Sequence, residues 1–126
     1  MNNELFCILG HNGAGKSTLI NMLIGIIPPT TNTAYVLGHD IRTNIEDARH
    51  DISIIPQFDI LYEDLTVYQN MQIICDIKNV LIEENIHKNL KIVDLLENIN
   101  DTVKTLSGGM RRRVSLAISL IGNPKV

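Results

Sequence analysis

The sequence predicts an α/β fold: a core with a parallel sheet, followed by an α-helical subdomain. Three observations predict it. The apolar run Leu5-Phe6-Cys7-Ile8-Leu9 leads directly into Gly10-His11-Asn12-Gly13-Ala14-Gly15-Lys16-Ser17-Thr18, and Leu19, Ile20, Leu23 and Ile24 then recur at helical spacing. Unbroken apolar runs of this length suit strands covered on both faces. From Thr66 onward the apolar residues keep a helical period. The expected division is an α/β core over 1–57, a helical subdomain over 58–107 and a closing helix over 108–126.

The stretch Gly10 to Thr18 fits the pattern of Gly, four residues, Gly-Lys-Ser/Thr, which marks a phosphate-binding loop when it sits between a strand and a helix. The core is therefore expected to be that of a P-loop nucleoside triphosphatase. Gly10, Gly13 and Gly15 permit the tight turn that brings consecutive backbone N–H groups onto phosphate oxygens, and the helix starting near Lys16 adds its positive end. Lys16 is expected between the β- and γ-phosphates, and the Ser17 hydroxyl on the Mg²⁺ that bridges them.

The helix after the loop is expected to close at Gly25, ahead of Pro28-Pro29. Ala34 to Leu37 reads as a second strand and Gly38-His39-Asp40 as a turn. Thr43 and Glu46 have capping-box spacing and open a short helix over Ile45 to Arg49. Ile52 to Ile55 reads as a third strand, broken by Pro56, with Gln57 at its carboxyl end, where ligands of open α/β sheets bind. Thr66 with Gln69 is a second capping box, and Val67, Met71, Ile74 and Leu81 share one helical face. Ile82, Ile86, Leu90, Val93 and Leu96 share another, with Glu83, Glu84, Lys88, Lys91 and Asp94 turned away. Leu106-Ser107-Gly108-Gly109-Met110 opens a third helix with Val114, Ala117 and Ile121 on its face, closed by Gly122-Asn123-Pro124. Ser107 with two glycines at a helix start is either a plain N-cap or a second anion site.

The chain of 126 residues amounts to one domain at most, and its net charge of −3 speaks against nucleic acid as the main partner. Cys7 and Cys75 are expected as reduced core thiols in a cytosolic compartment, since no close cysteine pair suggests zinc or redox chemistry. No apolar run is long enough to span a bilayer and no signal peptide is evident, so any membrane role has to come through another domain or subunit.

The phosphate loop, Gln57 at a strand end and Leu106 to Met110, in that order, resemble the nucleotide-binding domain of ATP-binding cassette transporters. Details resemble the A subfamily, which includes lipid exporters: Gly-His-Asn-Gly-Ala-Gly-Lys, Pro56-Gln57-Phe58-Asp59-Ile60-Leu61 before Asp64-Leu65-Thr66-Val67, and Leu-Ser-Gly-Gly-Met followed by Arg111 to Arg113 and Ile121-Gly122-Asn123-Pro124-Lys125. The resemblance implies ATP and Mg²⁺ as ligands, and two nucleotide-binding domains closing head to tail. Ser107, Gly108, Gly109 and Met110 would then act in trans on the nucleotide of the opposite domain. It further implies Gln57 in Mg²⁺ coordination and γ-phosphate sensing, the Phe58 to Asp64 segment against a transmembrane domain, and a place on the cytosolic face of a membrane. Arg111 to Arg113 point in different directions on a helix, so a structural role is expected for most of them.

The sequence departs from the family pattern at both ends. An adenine-stacking aromatic upstream of the loop, and the aspartate and glutamate of the following strand, are not matched; none of His11, His39, His50 or His87 matches the family's switch histidine. The expectation is that the chain by itself binds Mg-ATP weakly or not at all and turns over negligibly, and that its strands lack neighbours and leave it marginally stable. Two alternatives stay open: a soluble cassette ATPase acting on ribosomes or DNA, and a non-catalytic truncated cassette that pairs with an intact one.

Overall fold

The computed structural model describes residues 6–58 and 60–126, which fall into two compact units, Met1–Ile52 and Ser53–Val126.

In the first unit the Phe6 to Leu9 segment carries no strand pairing, and Phe6 and Leu9 are each 87% exposed. Leu5 lies outside the described residues. This corrects the expected buried strand, and Cys7 is exposed rather than in a core. The physical reason is that a strand exists only where a neighbour takes up its backbone N–H and C=O groups, and none does so here among the described residues. Helix α1 spans Lys16–Leu23. Its apolar residues are not buried, Leu19 and Ile20 included. Gly25 follows α1 with φ 76°, as a C-terminal glycine should, and a Cβ there would collide with the Ile45 side chain. The sheet is a two-stranded antiparallel hairpin, β1 Tyr35–Val36 with β2 His39–Asp40, in the register Tyr35 to Asp40 and Val36 to His39. The turn is therefore Leu37-Gly38, both at positive φ, and His39-Asp40 is the returning strand instead of part of the turn.

Helix α2 spans Ile45–Arg49. Its N-cap is Asn44, and the expected capping box of Thr43 with Glu46 does not form; Glu46 pairs with Arg49 instead. Arg49 in turn donates from Nη2 to the Gly25 carbonyl at 2.8 Å, so a cation closes the carbonyl end of α1. Asp40 accepts from the Thr33 hydroxyl and from the Arg42 N–H, and these bonds hold its carboxyl below its ordinary pKa, the Thr33 bond most of all.

The second unit begins with Ser53 to Pro56, which also carries no strand assignment. Its one described backbone link is the Ser53 N–H to the Val126 carbonyl, 2.7 Å, too little for a ladder. This corrects the expected third strand. Helices α3 (Val67–Lys78), α4 (Ile82–Ile92) and α5 (Gly108–Ser119) follow, with short 3₁₀ turns at Leu96–Asn98 and Val103–Thr105. The capping box on α3 forms in both directions: Gln69 N–H to Thr66 Oγ1 at 3.1 Å, and Thr66 N–H to Gln69 Oε1 at 2.9 Å.

Val67, Met71 and Cys75 of α3, Ile86 and Leu90 of α4, and Val114, Ala117 and Ile121 of α5 and its end bury one another completely. Two expected core positions move out. Leu81 becomes the N-cap residue of α4 and is 71% exposed. Leu96 yields to Leu95, 37% against 1% exposed, because Asp94 at φ 56° ends the helical register and turns the next residue inward.

Removing a side chain from the centre of three helices should cost far more than removing one from a cap position. Leu90→Ala is expected to lower unfolding stability by about 2–5 kcal/mol and Leu81→Ala by less than about 1 kcal/mol, measured by urea denaturation. For Asp40 the sign is fixed by its depressed pKa: the Thr33–Asp40 contribution is present above the ordinary carboxylate range and lost as pH falls through the lowered value. Thr33→Val should move the Asp40 carboxyl up toward its ordinary value in an NMR titration and reduce that low-pH loss.

Candidate functional site

The loop from Gly10 to Thr18 is built by two left-handed glycines and a turn. Gly13 and Gly15 have φ of 85° and 84°, and the Ala14 N–H bonds the His11 carbonyl at 3.2 Å. A side chain at either glycine would find space but not an unstrained backbone. Gly15 is the N-cap of α1 and offers no side-chain acceptor, and the first turn of α1 holds no acidic residue. The N–H groups of Lys16, Ser17 and Thr18 thus open the helix with its positive end uncompensated.

Lys16 folds back across the loop, donating from Nζ to the Gly10 and His11 carbonyls, both at 2.8 Å. A cation is thereby held over the same turn that presents the N–H groups. The His11 ring bonds its neighbour's backbone, Nδ1 to the Asn12 carbonyl at 2.7 Å, and Asn12, Ser17 and Thr18 are exposed. Among the described residues no hydrogen bond engages the Ser17 hydroxyl. The residues from Gly10 to Thr18 fit a polyphosphate: N–H donors, a helix end and an ammonium converge, and a hydroxyl one residue beyond can join a divalent cation's oxygen shell.

Gln57 and the Ser107 to Met110 turn lie in the second unit. Gln57 is exposed in a bend, not at the end of a paired strand. Ser107 is the N-cap of α5, its hydroxyl accepting from the Met110 N–H at 3.3 Å. The plain cap is therefore realised. Capping uses only an acceptor lone pair and leaves the hydroxyl proton available. Gly108 and Gly109 have open space where a Cβ would stand, so the backbone there is accessible to an incoming group. Met110 packs its side chain against the helical core.

The arginine run diverges as a helix requires. Arg111 bonds Glu63 Oε1 at 2.6 Å, the Lys104 carbonyl at 3.2 Å and the Leu106 carbonyl at 3.3 Å. Arg112 donates from Nη1 to the Pro56 carbonyl, and Arg113 to the carbonyls of Val93 and Asp94 at 3.1 and 3.3 Å. Each binds main-chain oxygen of a different segment. The backbone adds a seam beside them: Val103 N–H to Leu65 and Lys104 N–H to Glu63, both at 3.0 Å, with a bridge between Thr66 and Thr102. Asn70, nearly buried, holds the Tyr62 N–H and carbonyl with one amide, at 2.8 and 3.1 Å. The links from Arg111 to Glu63, Arg112 to Pro56 and Arg113 to Val93 join residues 48, 56 and 20 positions apart, and no local pattern in the sequence announces them.

The family model described as ABC transporter matches residues 1–126. ATP-binding cassette sub-family A member 2 of Rattus norvegicus is 36% identical over 126 residues, covering 98% of this chain and 5% of that protein. ABC transporter A family member 1 of Dictyostelium discoideum is 42% identical over 121 residues, 94% of this chain and 14% of its own length. The human phospholipid-transporting ATPase ABCA3 is 37% identical over 126 residues, 98% of this chain and 7% of that protein. Among solved structures, an ATP-binding subunit of an ABC transporter superposes with a TM-score of 0.74 at 25% identity, over 92% of this chain and 50% of that one. The chain thus spans a small part of its curated relatives. Among the described residues no helix is long and apolar enough to cross a membrane. Matched by the family model from end to end and similar throughout to A-subfamily members, the chain belongs to the ABC transporter family.

Proposed function

We propose that this chain is the ATP-binding part of a membrane transporter that couples ATP binding and hydrolysis to transport, with lipid as the cargo class. The observation that carries the reading is the Gly10 to Thr18 turn, where an uncapped helix end, two left-handed glycines and the Lys16 ammonium meet. The cargo class is supported by relatives named as phospholipid-transporting ATPases.

In this reading the loop N–H groups and Lys16 bind and orient the phosphates, and Ser17 and Gln57 supply oxygens to Mg²⁺. A bound Mg²⁺ offsets negative charge on the phosphate oxygens during phosphoryl transfer. Ser107, Gly108, Gly109 and Met110 act in trans on the nucleotide of a second nucleotide-binding domain paired head to tail. The Phe58 to Asp64 segment meets the transmembrane domain, and the whole lies on the cytosolic face of a membrane. Nucleic acid is not a partner. No side chain of this sequence is assigned to activate the attacking water, and the 126-residue chain by itself is inactive.

Intact mass decides the transporter reading: an antibody to the Phe58 to Lys78 region should detect a membrane-bound species far heavier than 14.1 kDa. A soluble species of that small mass would overturn it. In the transporter, Lys16→Ala is expected to weaken Mg-ATP binding at least about tenfold, as loss of a charge-assisted phosphate contact implies, read by isothermal titration calorimetry. The isolated chain should show no Lys16-dependent phosphate release; such release would contradict the stated inactivity.

A further inference from the structure

We propose that Arg112 is a positioning residue for Gln57: through its grip on the Pro56 carbonyl, the helix that begins at Ser107 sets where Gln57 stands. The inference rests on the functional reading above, in which Gln57 serves the nucleotide.

Among the described residues no hydrogen bond holds the Gln57 side chain. It is exposed, sits in a bend without strand pairing, and its neighbour Phe58 is exposed as well. The preceding carbonyl, Pro56, accepts from Arg112 Nη1. A guanidinium on a carbonyl is a charge-assisted bond, stronger than a neutral one. Arg112 stands on the first turns of α5, whose N-cap is Ser107. On the far side of Gln57, Glu63 is held by Arg111, and Asp64 by Lys104 at 3.2 Å. The loop carrying Gln57 is thus pinned before it by Arg112 and after it by Arg111. Both arginines belong to the helix that presents Ser107, Gly108 and Gly109. An anion engaging that turn and pulling on α5 would move the Pro56 carbonyl, and Gln57 with it, over a path of one side chain. Arg111 also bonds the carbonyls of Lys104 and Leu106, so its loss would disturb the Ser107 turn itself. Arg112 reaches the Pro56 carbonyl directly, next to Gln57, which makes it the probe.

The test compares wild type, Arg112→Ala and Arg112→Lys in the full-length transporter. Amide hydrogen exchange is expected to speed up at least about tenfold in Gln57 to Leu61 of the alanine variant, with α3 unchanged. ATPase kcat should fall about five- to twentyfold with KM for ATP within twofold, and lysine should restore at least half of kcat. Unchanged exchange, or faster exchange with unchanged kcat, overturns the proposal. A fall in kcat joined to a raised KM, a lowered melting temperature and no rescue by lysine also overturns it, because that is the pattern of a merely structural residue. Wild-type protein without Lys16-dependent turnover would instead overturn the functional reading on which the proposal rests.

Discussion

The second unit depends on three helices burying one another's apolar faces. Met71, Leu90 and Ile121 come from three places in the chain and are each fully buried in one cluster. At roughly 25 cal/mol per Å² of apolar surface, this burial outweighs what any surface ion pair here contributes. The turn at Ser107 stands where it does because Val114, Ala117 and Ile121 hold α5 down, and the seam between 63–65 and 103–104 follows from the same packing.

Helix starts in this chain are treated in two ways. Helices α3 and α5 have their first-turn N–H groups met by Thr66 and Ser107, so part of the orphan donor set is satisfied internally. Helix α1 begins at a glycine in a left-handed conformation, with no side-chain cap and no acidic residue nearby. Its donors and its dipole remain available to an external anion, and Lys16 adds a full positive charge across the same turn. The difference between the starts of α3 and α1 is a capping side chain at Thr66 and none at Gly15.

Charge is used in the arginine run for construction. Arg111, Arg112 and Arg113 each donate to main-chain oxygen in a different segment, and a loop with one carbonyl held by guanidinium loses much of its freedom. Such ties matter most where regular pairing is sparse, as around Pro56 and Gln57.

The local features were legible in the sequence because their causes are local. The glycine turn at 10–15, the start of α1, the Thr66–Gln69 capping box and the Ser107 cap each follow from residues within a few positions of one another. Helical periodicity likewise located α3, α4 and α5. What the sequence could not decide is where a side chain goes once a helix ends: Asp94 turned Leu95 inward, and Leu81 became a cap. The expected strands at Leu5 to Leu9 and Ile52 to Ile55 failed for another reason. An apolar run carries the propensity for a strand, but the strand itself is a property of two segments, and only a partner's backbone can complete it. The same holds for Glu63, Pro56 and Val93, the partners of Arg111, Arg112 and Arg113 that lie 48, 56 and 20 residues away in the chain. The sequence by itself determined the glycine turn before α1 and the helices; tertiary structure alone decided which segments the arginines tie together, because that depends on neighbours the local chain does not contain.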